Sequence, residues 1–153
     1  MTIIPATPAH AADIAQLIMT AMTEDCCQYL AGKEHTLDDF YHMMLDLVLM
    51  DDSQYSWRNT FVAVDEEATE GNVEYAPVAG AIVGYNGADL HRLRRRFQEE
   101  ALKQLQMDYS QMDDETEAGE FYLDSLAIYP EYRRRGIARQ LLKRATEHAA
   151  SLN

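Results

Sequence analysis

One stretch near the end of the chain decides the fold, and it reads Leu123-Asp-Ser-Leu-Ala-Ile-Tyr-Pro-Glu-Tyr-Arg-Arg-Arg-Gly-Ile-Ala-Arg-Gln-Leu-Leu142. Residues 120–128 alternate in polarity and are rich in strand formers, which predicts a strand. Residues 136–152 carry apolar side chains at helical spacing from Ile137 onward, which predicts a helix. Pro130 lies between the two segments, and Gly136 begins the second. The predicted order is therefore strand, turn, helix.

The turn has the residue types of an anion site. The start of a helix leaves backbone N–H groups unpaired, and the helix dipole favours negative charge there. Gly136 has no Cβ and lets the backbone approach a phosphate closely, and Ala138 keeps the next turn small. Positive charge surrounds them, contributed by Arg133, Arg134, Arg135 and Arg139. Many basic helix entries are only solvated turns, so the turn alone indicates either an anion site or a solvated surface.

The same residues resemble the acetyl-CoA-binding motif of the GNAT superfamily of N-acetyltransferases, Gln/Arg-x-x-Gly-x-Gly/Ala. Arg133, Gly136 and Ala138 match the motif, and the residues before it resemble the family's fourth strand and proline-containing link. The resemblance implies an α/β (α+β) fold with a mixed central β-sheet flanked by helices. It also implies acetyl-CoA as the acetyl donor and no metal.

The resemblance assigns roles along this stretch. The backbone groups of Leu126, Ala127 and Ile128 would pair with the pantetheine arm of the donor as an added strand. The backbone amides that would hold its pyrophosphate are those of Arg134, Arg135, Gly136, Ile137, Ala138 and Arg139. GNAT domains usually continue into a further strand, a helix and a hairpin, which this sequence lacks. We therefore expect one domain over residues 1–153 that is incomplete at its C-terminus.

Acetyl transfer to an amine requires a base for the amine proton and stabilisation of the developing oxyanion. Asp124 and Glu120 are the candidate bases, because the two-residue period of a strand places both on one face with Tyr122, Leu126 and Ile128. Family resemblance favours a carboxylate in this region. Tyr132 resembles the general acid of some protein N-terminal acetyltransferases, although its place in the turn favours a packing role. Tyr122 and Tyr129 are further candidates for that role.

The remaining elements are expected in family order. Thr7-Pro8 predicts the start of a helix that continues to about Tyr29. Thr36 and Asp39 form a predicted capping box for a second helix. Residues 60–64 and 78–85 predict two strands of a loose hairpin.

Residues 87–119 are predicted to be a helical insertion at the surface followed by an acidic link. The arginines of its helix are expected to form a solvated face paired with Glu99 and Glu100. Two alternatives stay open, in which they neutralise an acidic acceptor or contact the 3′-phosphate of the donor. No internal repeat or low-complexity tract appears.

Composition limits the function. A chain of 153 residues with a net charge of -13 would repel nucleic acid, and it has no apolar run of the roughly 20 residues that span a bilayer. We expect a cytoplasmic protein that binds neither nucleic acid nor membranes, and a homodimer is possible. The adjacent Cys26 and Cys27 are expected to be reduced packing residues.

Two functions remain after this reasoning. The first is an N-acetyltransferase that moves acetyl from acetyl-CoA to an amine, on a small molecule or a protein, by direct attack. The alternative is a non-catalytic acyl-CoA-binding sensor or interaction module, favoured by the absent final elements and the absence of a tyrosine further along the chain. An anion-binding scaffold unrelated to acyl-CoA would explain the arginines but not the strand before them.

Overall fold

The computed structural model describes residues 1–152, which form four strands and five α-helices. The strands are β1 (Thr2–Pro5), β2 (Thr60–Val64), β3 (Val78–Asn86) and β4 (Phe121–Ile128). The helices are α1 (Ala11–Met22), α2 (Glu24–Ala31), α3 (Leu37–Leu49), α4 (Leu90–Glu100) and α5 (Ile137–Ser151). Short 3₁₀ turns precede several of them, and a π-helical turn over Ala101–Leu105 extends α4.

The strands form one sheet in the order β1-β2-β3-β4, and every neighbouring pair of described strands is antiparallel. The predicted hairpin of β2 and β3 is confirmed. The main core lies on the sheet face covered by α1 and α3, and a smaller core lies on the opposite face under α5. The expected sheet flanked by helices is confirmed, although the sheet is antiparallel over residues 1–152 instead of mixed.

The first predicted helix is two helices. The chain breaks at Thr23, whose φ of 80° lies outside the helical region and ends α1. The Thr23 hydroxyl then accepts a hydrogen bond from the Cys26 amide and caps α2. The prediction of one continuous helix to about Tyr29 was wrong, because a threonine that can cap a new helix lies in the middle of an unbroken helical pattern.

The second predicted helix is confirmed as α3. Thr36 and Asp39 form the expected capping box, in which the Asp39 amide donates to the Thr36 hydroxyl at 3.1 Å and the Thr36 amide donates to the Asp39 carboxylate at 2.9 Å. The side chains that repeat at helical spacing on one face are all fully buried; they are Phe40, Met43, Met44, Leu47 and Val48. The methionines are core residues.

Segment 87–119 contributes to the core. Phe97, Ala101 and Leu105 pack into the main core from α4 and its π-helical turn. The segment was expected at the surface because its arginines dominate the sequence pattern, yet its apolar side faces α3. Whether it is an insertion relative to other proteins stays a prediction. Within residues 1–152, no helix is both long and apolar enough to cross a membrane.

Candidate active site

The turn before α5 presents its backbone amides to solvent. Gly136 is the N-cap of α5, with a φ of 76°, and Arg134 also has a positive φ of 65°. These two conformations turn the chain sharply into the helix. The backbone N–H groups of residues 134–139 donate to no acceptor within residues 1–152. Residues 133–136 are exposed. A row of unpaired donors at the start of a helix of 15 residues is an anion-binding arrangement.

The glycine of this turn faces open space. A Cβ built on Gly136 would meet no described atom within 4 Å, so the packing of the protein does not demand a glycine there. What demands it is the left-handed backbone conformation, which L side chains adopt at a cost. The space above Gly136 is therefore free for a bound group.

A cleft of about 640 Å³ leads from this turn along the end of β4. Thr20 and Ala21, at the exposed end of α1, form part of one wall, and Ile137 lies in another. All ten residues that the resemblance assigns to the donor lie in or beside this cleft: Leu126, Ala127, Ile128, Arg133, Arg134, Gly136, Ile137, Ala138 and Arg139 line it, and Arg135 lies between lining residues in the turn.

The cleft follows the free edge of β4. Tyr129 donates its N–H to the Ala79 carbonyl on β3, so residues 127 and 129 face β3. Backbone groups alternate in direction along an antiparallel strand, and Leu126 and Ile128 therefore direct theirs away from β3. Arg133 Nε donates to the Ile128 carbonyl at 3.0 Å from that outer side. Leu126 consequently offers an edge to which an extended molecule can hydrogen bond as a strand.

A β-bulge interrupts β4 at Asp124. Ser125 lies opposite Val83 and Leu123 lies opposite Gly84, so Asp124 is the extra residue between them. The two-residue period therefore fails here. Leu126 and Ile128 pack in the core under α5, whereas Tyr122 packs against Tyr85 in a separate cluster. The expectation that Glu120, Tyr122, Asp124, Leu126 and Ile128 share one face was wrong, because a bulge re-aims the side chains on either side of it.

Asp124 has an unusual environment for a carboxylate. Burial, together with the negative charge of nearby Glu115, raises its pKa from 3.8 to about 7, although the hydroxyls of Ser125 and Tyr85 oppose the shift. Ser125 Oγ lies 3.4 Å from one carboxylate oxygen. The other oxygen, Oδ2, is buried and has no hydrogen-bond partner among the described residues. A carboxylate that titrates near neutral pH and has a free oxygen is suited to accept a proton.

Comparison with known proteins places this architecture in a family. A family model described as "Acetyltransferase (GNAT) family" matches residues 33–153. The chain belongs to this acetyltransferase family. Membership supports acetyl transfer as its general activity.

Solved structures agree on the fold of this GNAT chain. "The crystal structure of acetyltransferase" superposes with a TM-score of 0.74 at 22% identity, covering 99% of this chain and 76% of the other. An N-acetyltransferase from Staphylococcus aureus Mu50 superposes with a TM-score of 0.72 at 22% identity, covering 97% and 76%. Among curated proteins, no sequence matches the chain significantly.

Glu120, the other predicted base, lies outside the strand of the GNAT chain. It is exposed in the loop before β4, and its Oε1 accepts hydrogen bonds from the Thr116 hydroxyl and the Glu117 amide, each at 3.1 Å. Its carbonyl accepts from the Gly87 amide at 2.7 Å. These contacts hold the acidic link against the start of α4 and separate Glu120 from the bulge.

The predicted acid, Tyr132, lies under the arginine turn. Its hydroxyl donates to Asp65 Oδ2 at 3.1 Å, and partial burial together with this bond raises its pKa. The Arg135 guanidinium carbon lies 5.3 Å from the centre of its ring. Tyr129 donates its hydroxyl to Asp13 at 2.6 Å, which joins the end of β4 to α1. Both tyrosines therefore hold the turn in place whatever further role they have.

The solvated face expected for the arginines of α4 is found only in part, because Arg92 and Arg95 are exposed whereas Arg94 and Arg96 bond within the fold. Arg94 is buried and donates to the Asp113 carbonyl at 2.8 Å and to Asp114 at 2.9 Å. Arg96 donates to Asp52 from two of its nitrogens, and it also pairs with Glu99 at 3.4 Å, as expected. None of the α4 arginines lines the cleft of about 640 Å³ beside the turn.

Sequence reasoning missed several residues around Asp124. Tyr85 packs edge-on against Tyr122 with ring centres 5.7 Å apart, and its hydroxyl accepts a hydrogen bond from Gln54 at 3.1 Å. Glu115 reaches the same place from the acidic link. These residues come from three separate segments, and no local pattern in the sequence connects them.

Proposed function

We propose that the chain transfers an acetyl group from acetyl-CoA to an amine by direct attack, with Asp124 as the general base. The observation that carries the proposal is the combination of unpaired amides at residues 134–139 with a buried carboxylate of raised pKa on the adjoining strand. The first feature suits a diphosphate and the second suits proton transfer.

Three features of the chain support the fit of acetyl-CoA. The amides at the start of α5 and the side chains of Arg134 and Arg139 would hold the pyrophosphate. The outward backbone groups of Leu126 and Ile128 would hold the pantetheine amides, since Arg133 can exchange its bond to the Ile128 carbonyl for one to the ligand. The cleft of about 640 Å³ lies within the usual size range of cofactor sites.

Acetyl-CoA supplies an acetyl group activated as a thioester. A donor lying along the edge of β4 from the turn toward the bulge would bring that group close to Asp124. With a pKa of about 7, the Asp124 carboxyl group is about half ionised near neutral pH. Its partnerless Oδ2 would take the proton of the attacking amine.

Two tyrosines are candidates for returning a proton to the leaving sulfur. Tyr132 shares its hydroxyl proton with Asp65. Tyr122 lies two residues from Asp124, and burial followed by the charges of Glu115 and Asp124 raises its pKa to about 12. Loss of activity in Tyr122→Phe but not in Tyr132→Phe would assign the role to Tyr122, and the reverse result to Tyr132.

The acceptor is an amine, on a small molecule or a peptide. The exposed Glu115 and the ring of Tyr122 near Asp124 favour an acceptor that carries positive charge, because carboxylates and aromatic faces both attract cations. A cation would also oppose the repulsion between Glu115 and Asp124.

The test is thiol release from acetyl-CoA in the presence of a panel of cationic and neutral amines. Asp124→Asn should lower kcat by about 100-fold to 1,000-fold, the usual contribution of a general base, and change the KM for acetyl-CoA less than threefold. Glu120→Gln is the matched control and should retain most of the activity. Binding of acetyl-CoA without turnover of any amine would contradict the proposal and favour the non-catalytic acyl-CoA-binding alternative.

A further inference from the structure

A second cavity, of about 410 Å³, lies at the other end of the sheet from the arginine turn. It is built where the start of β2 and the end of β3 face the C-terminal half of α5, and it reaches the start of α4. It shares no lining residue with the donor cleft among residues 1–152, and Asp124 is not part of it. The proposed acetyl transfer therefore does not account for it.

Aromatic rings form the wall of this cavity. His148 on α5 contacts Phe61 and Phe121 edge-on, with ring centres 5.5 and 5.9 Å apart. Ile82 and Gly84 add apolar surface between them. All three rings are half-buried, so each keeps part of its surface exposed. A flat apolar group would pack well against such a wall.

Positive charge surrounds the aromatic wall. Arg58, Arg92 and Arg144 reach the cavity from three different elements, against one carboxylate, that of Asp89. Arg58 pairs with Asp51 at 3.1 Å, and Arg92 approaches Asp89 only to 3.8 Å. This local excess of cations is notable in a protein with a net charge of -13.

Arg144 is the informative member of the three. Its guanidinium carbon lies 4.4 Å above the ring of Phe61, which holds the side chain over the cavity. It makes no hydrogen bond or ion pair with any other part of the chain that the structure describes, although 26 acidic residues are present in the sequence. The ring of Phe61 therefore holds the Arg144 guanidinium in place, and its N–H groups remain available to a carboxylate.

We infer that this cavity is a second ligand site, for a small planar aromatic carboxylate whose ring lies against Phe61, Phe121 and His148 and whose carboxylate pairs with Arg144. The volume of about 410 Å³ accommodates a molecule of one or two rings. The carboxylate would add the hydrogen-bond partner that Arg144 otherwise lacks.

The probe is benzoate, with neutral benzamide as its matched analogue. Binding is followed by amide chemical shifts in two-dimensional NMR and by the fluorescence of Trp57, the one tryptophan of the sequence, whose ring centre lies 4.9 Å from the Arg58 guanidinium carbon. Benzoate should bind saturably and shift the resonances of Gly84, Ala145 and His148. Benzamide should bind at least tenfold more weakly.

Variants distinguish specific binding in this cavity from a general attraction of benzoate to positive charge. Arg144→Gln should weaken benzoate binding about tenfold or more, as expected when a charge-assisted hydrogen bond is lost, and Arg144→Lys should weaken it less. Arg95→Gln removes the same charge from an exposed site outside the cavity and should leave binding unchanged. Saturating coenzyme A should not displace benzoate.

The inference would be overturned by no saturable binding, by equal binding of benzamide, by insensitivity to Arg144→Gln, or by displacement by coenzyme A. Inorganic phosphate binding as tightly as benzoate would likewise contradict it, because the aromatic wall would then contribute nothing. None of these results bears on acetyl transfer, which is measured separately.

Discussion

The two arginine-rich segments of this chain have similar compositions and opposite environments. In α4, Arg94 and Arg96 donate to acidic side chains and carbonyls of the link and of the loop after α3. In the turn before α5, Arg133 and Arg135 donate only to the neighbouring carbonyls of Ile128 and Glu131 among the described atoms. Arg134 and Arg139 have no hydrogen-bonding partner within residues 1–152.

The difference teaches that charge neutralisation distinguishes a structural basic cluster from a ligand-binding one. In α4, Arg94 and Arg96 complete their bonds within the fold, so these two arginines stabilise the native state. The turn cluster and Asp124 keep donors and an acceptor free, and the protein bears the cost of leaving them so. Each prediction below changes one side of this comparison.

The largest effect is expected for Gly136→Glu. The side chain would be strained at a φ of 76° and would place a negative charge where the diphosphate is proposed to bind. Acetyl-CoA affinity should fall at least about 1,000-fold, equal to about 4 kcal/mol, in isothermal titration calorimetry. Gly71→Glu is the matched control, because Gly71 also has a positive φ and open space around it, away from the cleft. An equal loss in both variants would reject the site.

The next effect concerns the structural cluster. Arg94→Gln removes a buried guanidinium and leaves the Asp113 carbonyl and Asp114 without their partner, so the free energy of unfolding should fall by about 3 kcal/mol in urea denaturation. Affinity for acetyl-CoA should change less than twofold. The exposed Arg95→Gln should change stability by less than about 0.5 kcal/mol. Weaker acetyl-CoA binding in folded Arg94→Gln would remove the distinction between the two clusters.

Asp124→Asn is expected to raise the stability of the protein, in contrast to Arg94→Gln. Burial raises the pKa of Asp124 to about 7, so the native state holds this proton more tightly than the unfolded chain. The stability contributed by the protonated form is complete below the unfolded pKa of 3.8 and is lost as the pH rises through about 7. Asparagine carries no charge to bury, so the variant should be more stable than the natural protein by about 2 kcal/mol at pH 8, after allowance for partial exposure.

Denaturation at two pH values checks this prediction. At pH 4 the variant and the natural protein should differ little, because both side chains are then neutral. A variant that is less stable at pH 8 would show that Asp124 is ionised and well paired in the native state, contrary to its partnerless Oδ2.

The smallest effect is expected for the free arginines of the turn. Arg134→Gln and Arg139→Gln should each weaken acetyl-CoA binding about fivefold, or about 1 kcal/mol, since an exposed guanidinium adds little to the contacts of the backbone amides. Stability should not change. The loss of acetyl-CoA affinity should become smaller at high salt, where exposed charges are screened. A salt-independent loss would indicate that these side chains shape the turn instead of contacting the ligand.

Local sequence patterns predicted a large part of the fold. The capping box of α3, the hairpin of β2 and β3, and the strand, turn and helix of residues 121–151 follow from residue type and spacing over a few positions. The break at Thr23 and the bulge at Asp124 did not follow from such patterns. The hydrophobic spacing continues unbroken through Thr23, so it does not reveal that one helix ends and another begins there. A bulge is an extra residue relative to the partner strand, so it cannot be recognised from β4 alone.

The sequence by itself determined that residues 134–139 begin a helix with unpaired amides, because this property depends on consecutive residues. Only the tertiary structure decided which charges stay free. Asp114 reaches Arg94, Glu115 reaches Asp124, and Arg144 rests on Phe61, each across a long separation in sequence. Electrostatic neutralisation depends on distances through space, which the chain acquires only when its elements pack.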